Sequence, residues 1–176
     1  MGLTGAPAAA PFPASDTKPT SEYSGPFGRV FIDDATGSEY MLVDCQEAFT
    51  VGEVVVIDVA GLATAITDTS RGRVGIVVAT VSGSDTAAYV QISGPTSSSV
   101  LCSSGVTTTG QVIANVSTET GSFGELSTTA GNVVYGAWAV TAPSTATSPV
   151  GPGALGAFVL NRPFVMGKDN AHTMTS

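Results

Sequence analysis

Residues 49–93 read FTVGEVVVIDVAGLATAITDTSRGRVGIVVATVSGSDTAAYVQIS, a series of short Val- and Ile-rich segments, each closed by Gly, Asp or Ser. Such punctuation fits antiparallel strands joined by tight turns and leaves no room for a helix. The expected strands are GEVVVIDV, LATAIT, RVGIVVATV and TAAYVQIS, with turns at 60–61, 68–72 and 82–85. Gly75 interrupts the third of them and marks a close backbone approach or a bulge, as at the tight corner of a small barrel. The polar residues of the stretch are mostly Ser, Thr and Gly, which shape turns rather than attack, protonate or ligate.

Upstream, a period-two pattern begins at Phe27. FGRVFID, a turn at 34–37 and SEYMLVD together read as a hairpin. Asp33 and Asp34 could suggest a carboxylate pair, but neighbours on a strand point to opposite faces, so Asp34 is assigned to the turn. Downstream the pattern loosens, with short strands expected at 100–103 and 110–116, a firmer one at 132–141 and a final apolar strand in LGAFVLNRP. Trp138, the only Trp, lies in the 132–141 strand and is expected to pack in the core or between subunits. The fold class is therefore all-β: a small barrel or sandwich of short antiparallel strands, carrying an extended Pro-rich N-terminal arm.

That arm, residues 1–26, contains Pro7, Pro11, Pro13, Pro19 and Pro26 among Ala, Ser and Thr, a composition that favours extended backbone. Phe12, Tyr23 and Phe27 are spaced along it as apolar anchors, the pattern of a segment that lies over another subunit. The β domain spans 27–166, with 49–93 as its core and a long loop at 142–153; a tail occupies 167–176. MGLTGAPAAAPFP lacks a basic n-region and carries Pro where a secretory signal needs an apolar helix. The longest apolar run, 74–81, is far below the roughly 18 residues of a membrane span, so a soluble protein is expected.

Charged residues make up 11% of the chain, against about 25% in ordinary soluble domains. So few Lys residues on a β protein point to a surface covered by a partner. The net charge of −8 is concentrated early: nine acids precede Val59, against Lys18 and Arg29. Six basic residues in all cannot neutralise many phosphates, so direct nucleic-acid binding is not expected.

Catalytic and metal-binding signatures are weak. His172, the only histidine, sits in the polar tail, which cannot hold a base rigidly against a nucleophile. Gly151, Gly153 and Gly156 spell G-x-G-x-x-G, but strand-like AFVLNRPFV follows instead of a helix, so no dinucleotide site is expected. Cys45 and Cys102 lack the spacing of a zinc or redox motif and read as two buried, reduced thiols in preference to a disulfide. Asp58, Asp68 and Asp85 could meet at one barrel rim around Ca²⁺, although capping of their turns accounts for them more simply. The expectation is of a chain that is not an enzyme and takes no cofactor or metal.

The order and spacing of GEVVVIDVAGLATAI, GRVGIVVATV, AYVQISG, TTTGQVIA, VYGAWAV and GALGAFVLNRP resemble the bacteriophage head decoration, or capsid cement, proteins. The resemblance covers about two thirds of the chain. It implies a small β-barrel on the outer surface of an icosahedral head, often a homotrimer, clamping neighbouring major capsid subunits; the family brings no catalytic residues. The Pro-rich arm and the 142–153 loop are longer than the resemblance leads one to expect. On that reading Phe12, Tyr23 and Phe27 are the candidate capsid contacts, Trp138 serves core or trimer packing, the partners are the major capsid protein and the chain itself, and the location is the virion. A β-rich tail or fibre component, or a surface protein binding glycans through Trp138, Tyr135 and Asp side chains, is the alternative. A hydrolase is remote, given the poverty of His, Lys and Arg.

Overall fold

A strand buried on both faces loses the in-out alternation of a half-exposed one. Val54–Ile57 is buried at every position, and Ala87–Ile92 likewise. The computed structural model describes residues 3–4, 12–23, 25–96, 100–102, 112–115, 120–125, 133–140, 144–145 and 154–166, and shows what covers both faces. Within these residues the strands are β1 (Leu3–Thr4), β2 (Lys18–Pro19), β3 (Val30–Asp33), β4 (Glu39–Cys45), β5 (Val54–Ile57), β6 (Leu62–Ala65), β7 (Gly72–Val77) and β8 (Thr86–Pro95). They continue with β9 (Val100–Cys102), β10 (Val112–Asn115), β11 (Phe123–Glu125), β12 (Val133–Ala139), β13 (Ser144–Thr145), β14 (Ala154–Gly156) and β15 (Phe158–Val165). The all-β class expected from the sequence is what the chain adopts.

Five strands close into a ring. β4 pairs with β6 in parallel, β6 with β5, β5 with β7, β7 with β8, and β8 returns to β4, the last four antiparallel. A ring of five strands encloses a narrow interior that side chains must fill. Met41, Val43 and Cys45 from β4, Val55 and Ile57 from β5, Ala63 and Ala65 from β6, Val77 from β7, and Ala88, Val90 and Ile92 from β8 do so. Gly75 faces this interior: a Cβ there would lie 2.8 Å from Val90 Cγ2. Its meaning is thus the close approach rather than the bulge.

The outward faces of the ring carry two coats. On the β5–β7 side, Val54, Val56, Ile66, Val74 and Ile76 meet Cys102, Phe123, Val134, Phe158 and Leu160 of the C-terminal strands, with Phe123 and Phe158 rings 5.1 Å apart. On the β4–β8 side, Tyr40, Leu42, Ala87 and Tyr89, together with Phe31, are covered by Phe12, Ala14, Tyr23 and Phe27. The arm is therefore not free of the domain: β2 pairs with β8, and the Thr20 N–H donates to the Asp85 carbonyl at 2.8 Å.

β15 stitches the C-terminal coat to the barrel and changes partner on the way. Val159, Leu160 and Asn161 pair with β8, whereas Phe164 and Val165 pair with β7. The switch falls at Arg162 (φ 45°) and Pro163, opposite Gly136 (φ 82°) of β12, where a Cβ would come within 2.7 Å of the Asn161 carbonyl. The strand runs through Pro163 instead of ending there, because an irregularity of this kind relieves proline of ladder pairing. Sequence reasoning also missed β11, β13 and the short pairings of the arm, all too brief to show a period, and ran β14 and β15 together as one strand.

Candidate functional site: an outward aromatic face

The irregularity at Gly136 and at 161–163 keeps both strands in phase on either side of it. Val134, Ala137 and Ala139 turn inward from β12, as do Phe158, Leu160, Pro163 and Val165 from β15. Tyr135, Trp138, Val140, Val159 and Phe164 consequently share the outer side, each between 37% and 52% exposed. The Tyr135 and Phe164 rings stack at 5.4 Å with 21° between planes, and Trp138 stands opposite Val159 in register. Leu155 and Met166 are further exposed apolar residues of the same strand system. Monomeric proteins scatter exposed apolar side chains singly; a grouped set containing three aromatic rings is the composition of a contact surface.

Trp138 accordingly lies outside the core, which corrects one half of the sequence expectation and leaves it on an exposed face. Phe12, Tyr23 and Phe27 are brought together, but against their own barrel: Phe12 is 8% exposed and stacks on Tyr89 at 4.9 Å, Tyr23 sits 6.4 Å from Phe12, and Phe27 5.5 Å from Tyr23. The Tyr89 hydroxyl is buried beside the Phe12 backbone without a well-formed hydrogen bond, and burial pushes its ionisation above the ordinary tyrosine range. Val140, Val159 and Phe164 escaped sequence reasoning. Their signal was the apolar character of both faces in VVYGAWAV and in AFVLNRPFV, which a strand solvated on one side does not need.

Asp58, Asp33 and the two cysteines have structural roles. Asp58 Oδ1 accepts from the Ala60 and Leu62 N–H groups at 2.8 and 2.9 Å, capping its turn. In the β3–β4 hairpin the capping carboxylate is that of Asp33, which accepts from the Ala35 N–H and the Thr36 hydroxyl, while Asp34 occupies the turn itself. Among the described residues no three His, Cys, Asp or Glu side chains gather as a metal site. Cys45 and Cys102 are free and buried, one in the barrel interior and one under the C-terminal coat, and burial pushes both thiols up to about 12. Gly156 lies in β14, immediately before β15, so the glycine pattern opens no helix. Gly151, Gly153, His172 and the 167–176 tail lie outside the described residues, as does most of the 142–153 loop. No helix among the described residues is long and apolar enough to cross a membrane.

What this arrangement can do is exclude water against a matching surface. Its groups are hydrocarbon and aromatic, suited to binding by burial and not to proton transfer. No protein-family model, curated protein or solved structure matches the chain.

Proposed function

We propose that this chain is a virion structural protein that decorates and cements the outer surface of an icosahedral phage head, bridging neighbouring major capsid subunits, and that it does so as a homotrimer. The observation that carries the reading is the outward face of Tyr135, Trp138, Val140, Val159 and Phe164. The low charge content and the resemblance noted in the sequence support it. The mechanism is surface burial repeated with symmetry: each copy contributes a modest contact, and copies held together by the trimer and the lattice bind at a high effective concentration. The contact moves from the arm, whose rings are occupied by the barrel, to the C-terminal face.

The test is co-sedimentation with expanded phage heads prepared without their decoration protein. The wild-type chain is expected to pellet with the heads, Tyr135→Ser/Trp138→Ser to lose occupancy by about tenfold or more, and light scattering to give a trimer mass. Deletion of residues 2–24 asks whether the arm adds to the contact; unchanged occupancy removes it. A wild-type chain that stays in the supernatant, or a double variant that pellets equally well, would overturn the proposal.

The same aromatic rings favour a second reading, a glycan-binding surface protein, since Tyr135 and Trp138 offer planes on which sugars stack. The neighbours Val140, Val159 and Phe164 are apolar where such a site wants hydrogen-bonding side chains. A glycan array separates the two: a specific hit that Trp138→Ser abolishes establishes this reading over the first.

A further inference from the structure

The ring of strands is closed at one end and forked at the other. β7 and β8 are paired only at Ile76–Gln91 and Val77–Val90; beyond that point each takes β15 as its neighbour, β8 at 93–95 and β7 at 72–73. A cavity of about 220 Å³ opens where they part, lined by Val30, Met41, Val74 and Ile92, with Arg73 and Arg162 at its polar side. A second, of about 480 Å³, shares Met41 and Arg73 and reaches Phe27, Ile57, Val59 and Arg71. The second lies within the range of small-ligand pockets, roughly 300–1,000 Å³, and the first, smaller than that, adjoins it at Met41 and Arg73.

The charges there run against the rest of the molecule. The chain has 14 acidic and six basic residues, yet Arg71, Arg73 and Arg162 line these two cavities. Arg162 is bound by Glu39 through two hydrogen bonds of 2.7 and 2.8 Å, and the Asp58 carboxylate is engaged by its own turn. Arg71 and Arg73 are thus the cations with no ion pair among the described residues, both exposed, and with the Asp58 charge counted they leave one positive charge in excess. Arg73 follows the alternation that turns Gly75 and Val77 into the barrel, which sets it over the open end of the interior, above an apolar floor. Val59, fully exposed on the same rim, extends the apolar lining outward.

From this we infer that the open end of the barrel is a binding site for a single carboxylate carried on an apolar body, either a free organic acid or a glutamate side chain flanked by apolar residues. The guanidinium fork of Arg73, seconded by Arg71, takes the planar carboxylate, and Met41, Ile57 and Ile92 take the hydrocarbon. A polyvalent anion is the wrong partner: one surplus positive charge cannot offset its repulsion by a chain of net charge −8. The site is independent of the outward aromatic face, so its test uses the isolated chain without heads.

The full-length ¹⁵N-labelled chain is titrated with phenylbutyrate, with phenylbutyramide, with inorganic phosphate and with the end-capped peptide acetyl-Leu-Glu-Phe-amide. The expected result is movement of the amide signals of Gly28, Ile57 and Val74 with phenylbutyrate or the peptide, little with the neutral amide or phosphate. Arg73→Gln weakens the binding acid by about tenfold or more, and Arg71→Gln by less. Tighter capture of the peptide assigns the carboxylate to a protein partner, and tighter capture of the free acid to a small molecule. Equal response to the amide, stronger response to phosphate, undiminished binding by Arg73→Gln, or no response to either acid would each overturn the inference. Both arginines are exposed, so neither substitution threatens the fold.

Discussion

The two coats on the barrel both pack aromatic rings against it but are attached by different means. The C-terminal coat is continuous with the barrel through backbone ladders, β15 with β8 and with β7, and the Leu101 and Val54 N–H groups donate across the seam to the Gly52 and Gly121 carbonyls, each at 2.8 Å. The N-terminal coat has only short backbone ties, two-residue pairings of β1 with β3 and of β2 with β8 and the Thr20–Asp85 hydrogen bond, and otherwise rests on side chains, Phe12 and Tyr23 on Tyr89 and Phe31. A ladder ties many residues into one cooperative unit, whereas a side-chain contact can open alone. The first coat is therefore part of the fold, and the second is a strap laid over it.

Substitution in each coat should expose this difference at its largest. Phe158 is fully buried against Phe123, and Phe158→Ala is expected to cost about 3–5 kcal/mol, read as a lower urea midpoint for the whole molecule. Phe12→Ala is expected to cost about 1.5–3 kcal/mol at most, confined to the arm. Hydrogen exchange should then show the Thr20 amide losing protection while amides of β4 and β8 keep theirs. Loss of protection in β4 and β8 together with Thr20 would mean that the arm is as integral as the C-terminal coat.

The thiols offer a gentler probe of the same contrast within the domain. With both thiols pushed up to about 12, neither Cys45 nor Cys102 presents thiolate at neutral pH, so alkylation must wait for opening. Cys102 lies on β9, which meets the rest of its coat through one parallel pair with β11 and three pairs with β14; Cys45 lies in the ring itself. In pulse labelling with iodoacetamide at sub-denaturing urea, Cys102 is expected to react before Cys45. Earlier labelling of Cys102 reports local opening of β9 within a coat that stays laddered to the barrel through β15; simultaneous labelling would mean that β9 opens only with the whole fold.

How far these features were legible in the sequence depended on what a period can encode. The strands of 30–95 announce themselves because turn residues cut them to length, and Gly75 could be read as a close approach or a bulge, between which only the packing against Val90 decides. The closing of the ring, by contrast, depends on β4 pairing with β6 in parallel, a contact between segments that no local pattern signals. The arm anchors were legible as anchors, since Phe12, Tyr23 and Phe27 are conspicuous among Pro, Ala and Ser. Their target was not, because an apolar ring looks the same whether it covers its own barrel or a neighbour's. The outward face was hidden for a similar reason: in VVYGAWAV an apolar strand buried on both sides and one displayed on a contact surface share one spelling. The arginine mouth needed the fold outright, because Arg162 lies far along the chain from Arg71 and Arg73.

The smallest effects lie in the two seams, and acid resolves them. Arg162, on β15, hydrogen-bonds to Glu39 of β4 and holds its carboxyl below its ordinary value near 4.5 against the opposing effect of burial. The stabilisation is present above that ordinary value and is lost as pH falls through the lower, folded-state one. Asp44 stands at the other seam, where Asp85 also receives the arm. Its Oδ1 is buried without a partner, and burial, then the Asp85 charge, raise it above its ordinary value near 3.8, opposed by Gln46. Its charge therefore destabilises the fold above the raised value, and the cost is relieved as pH falls through it. Arg162→Gln is expected to be slightly less stable than wild type at neutral pH and Asp44→Asn slightly more, with both differences shrinking on acidification in urea titrations between neutral pH and about pH 3. If Asp44→Asn is instead destabilising at neutral pH, the arm seam holds a carboxylate it needs, and the strap is fastened by more than its rings.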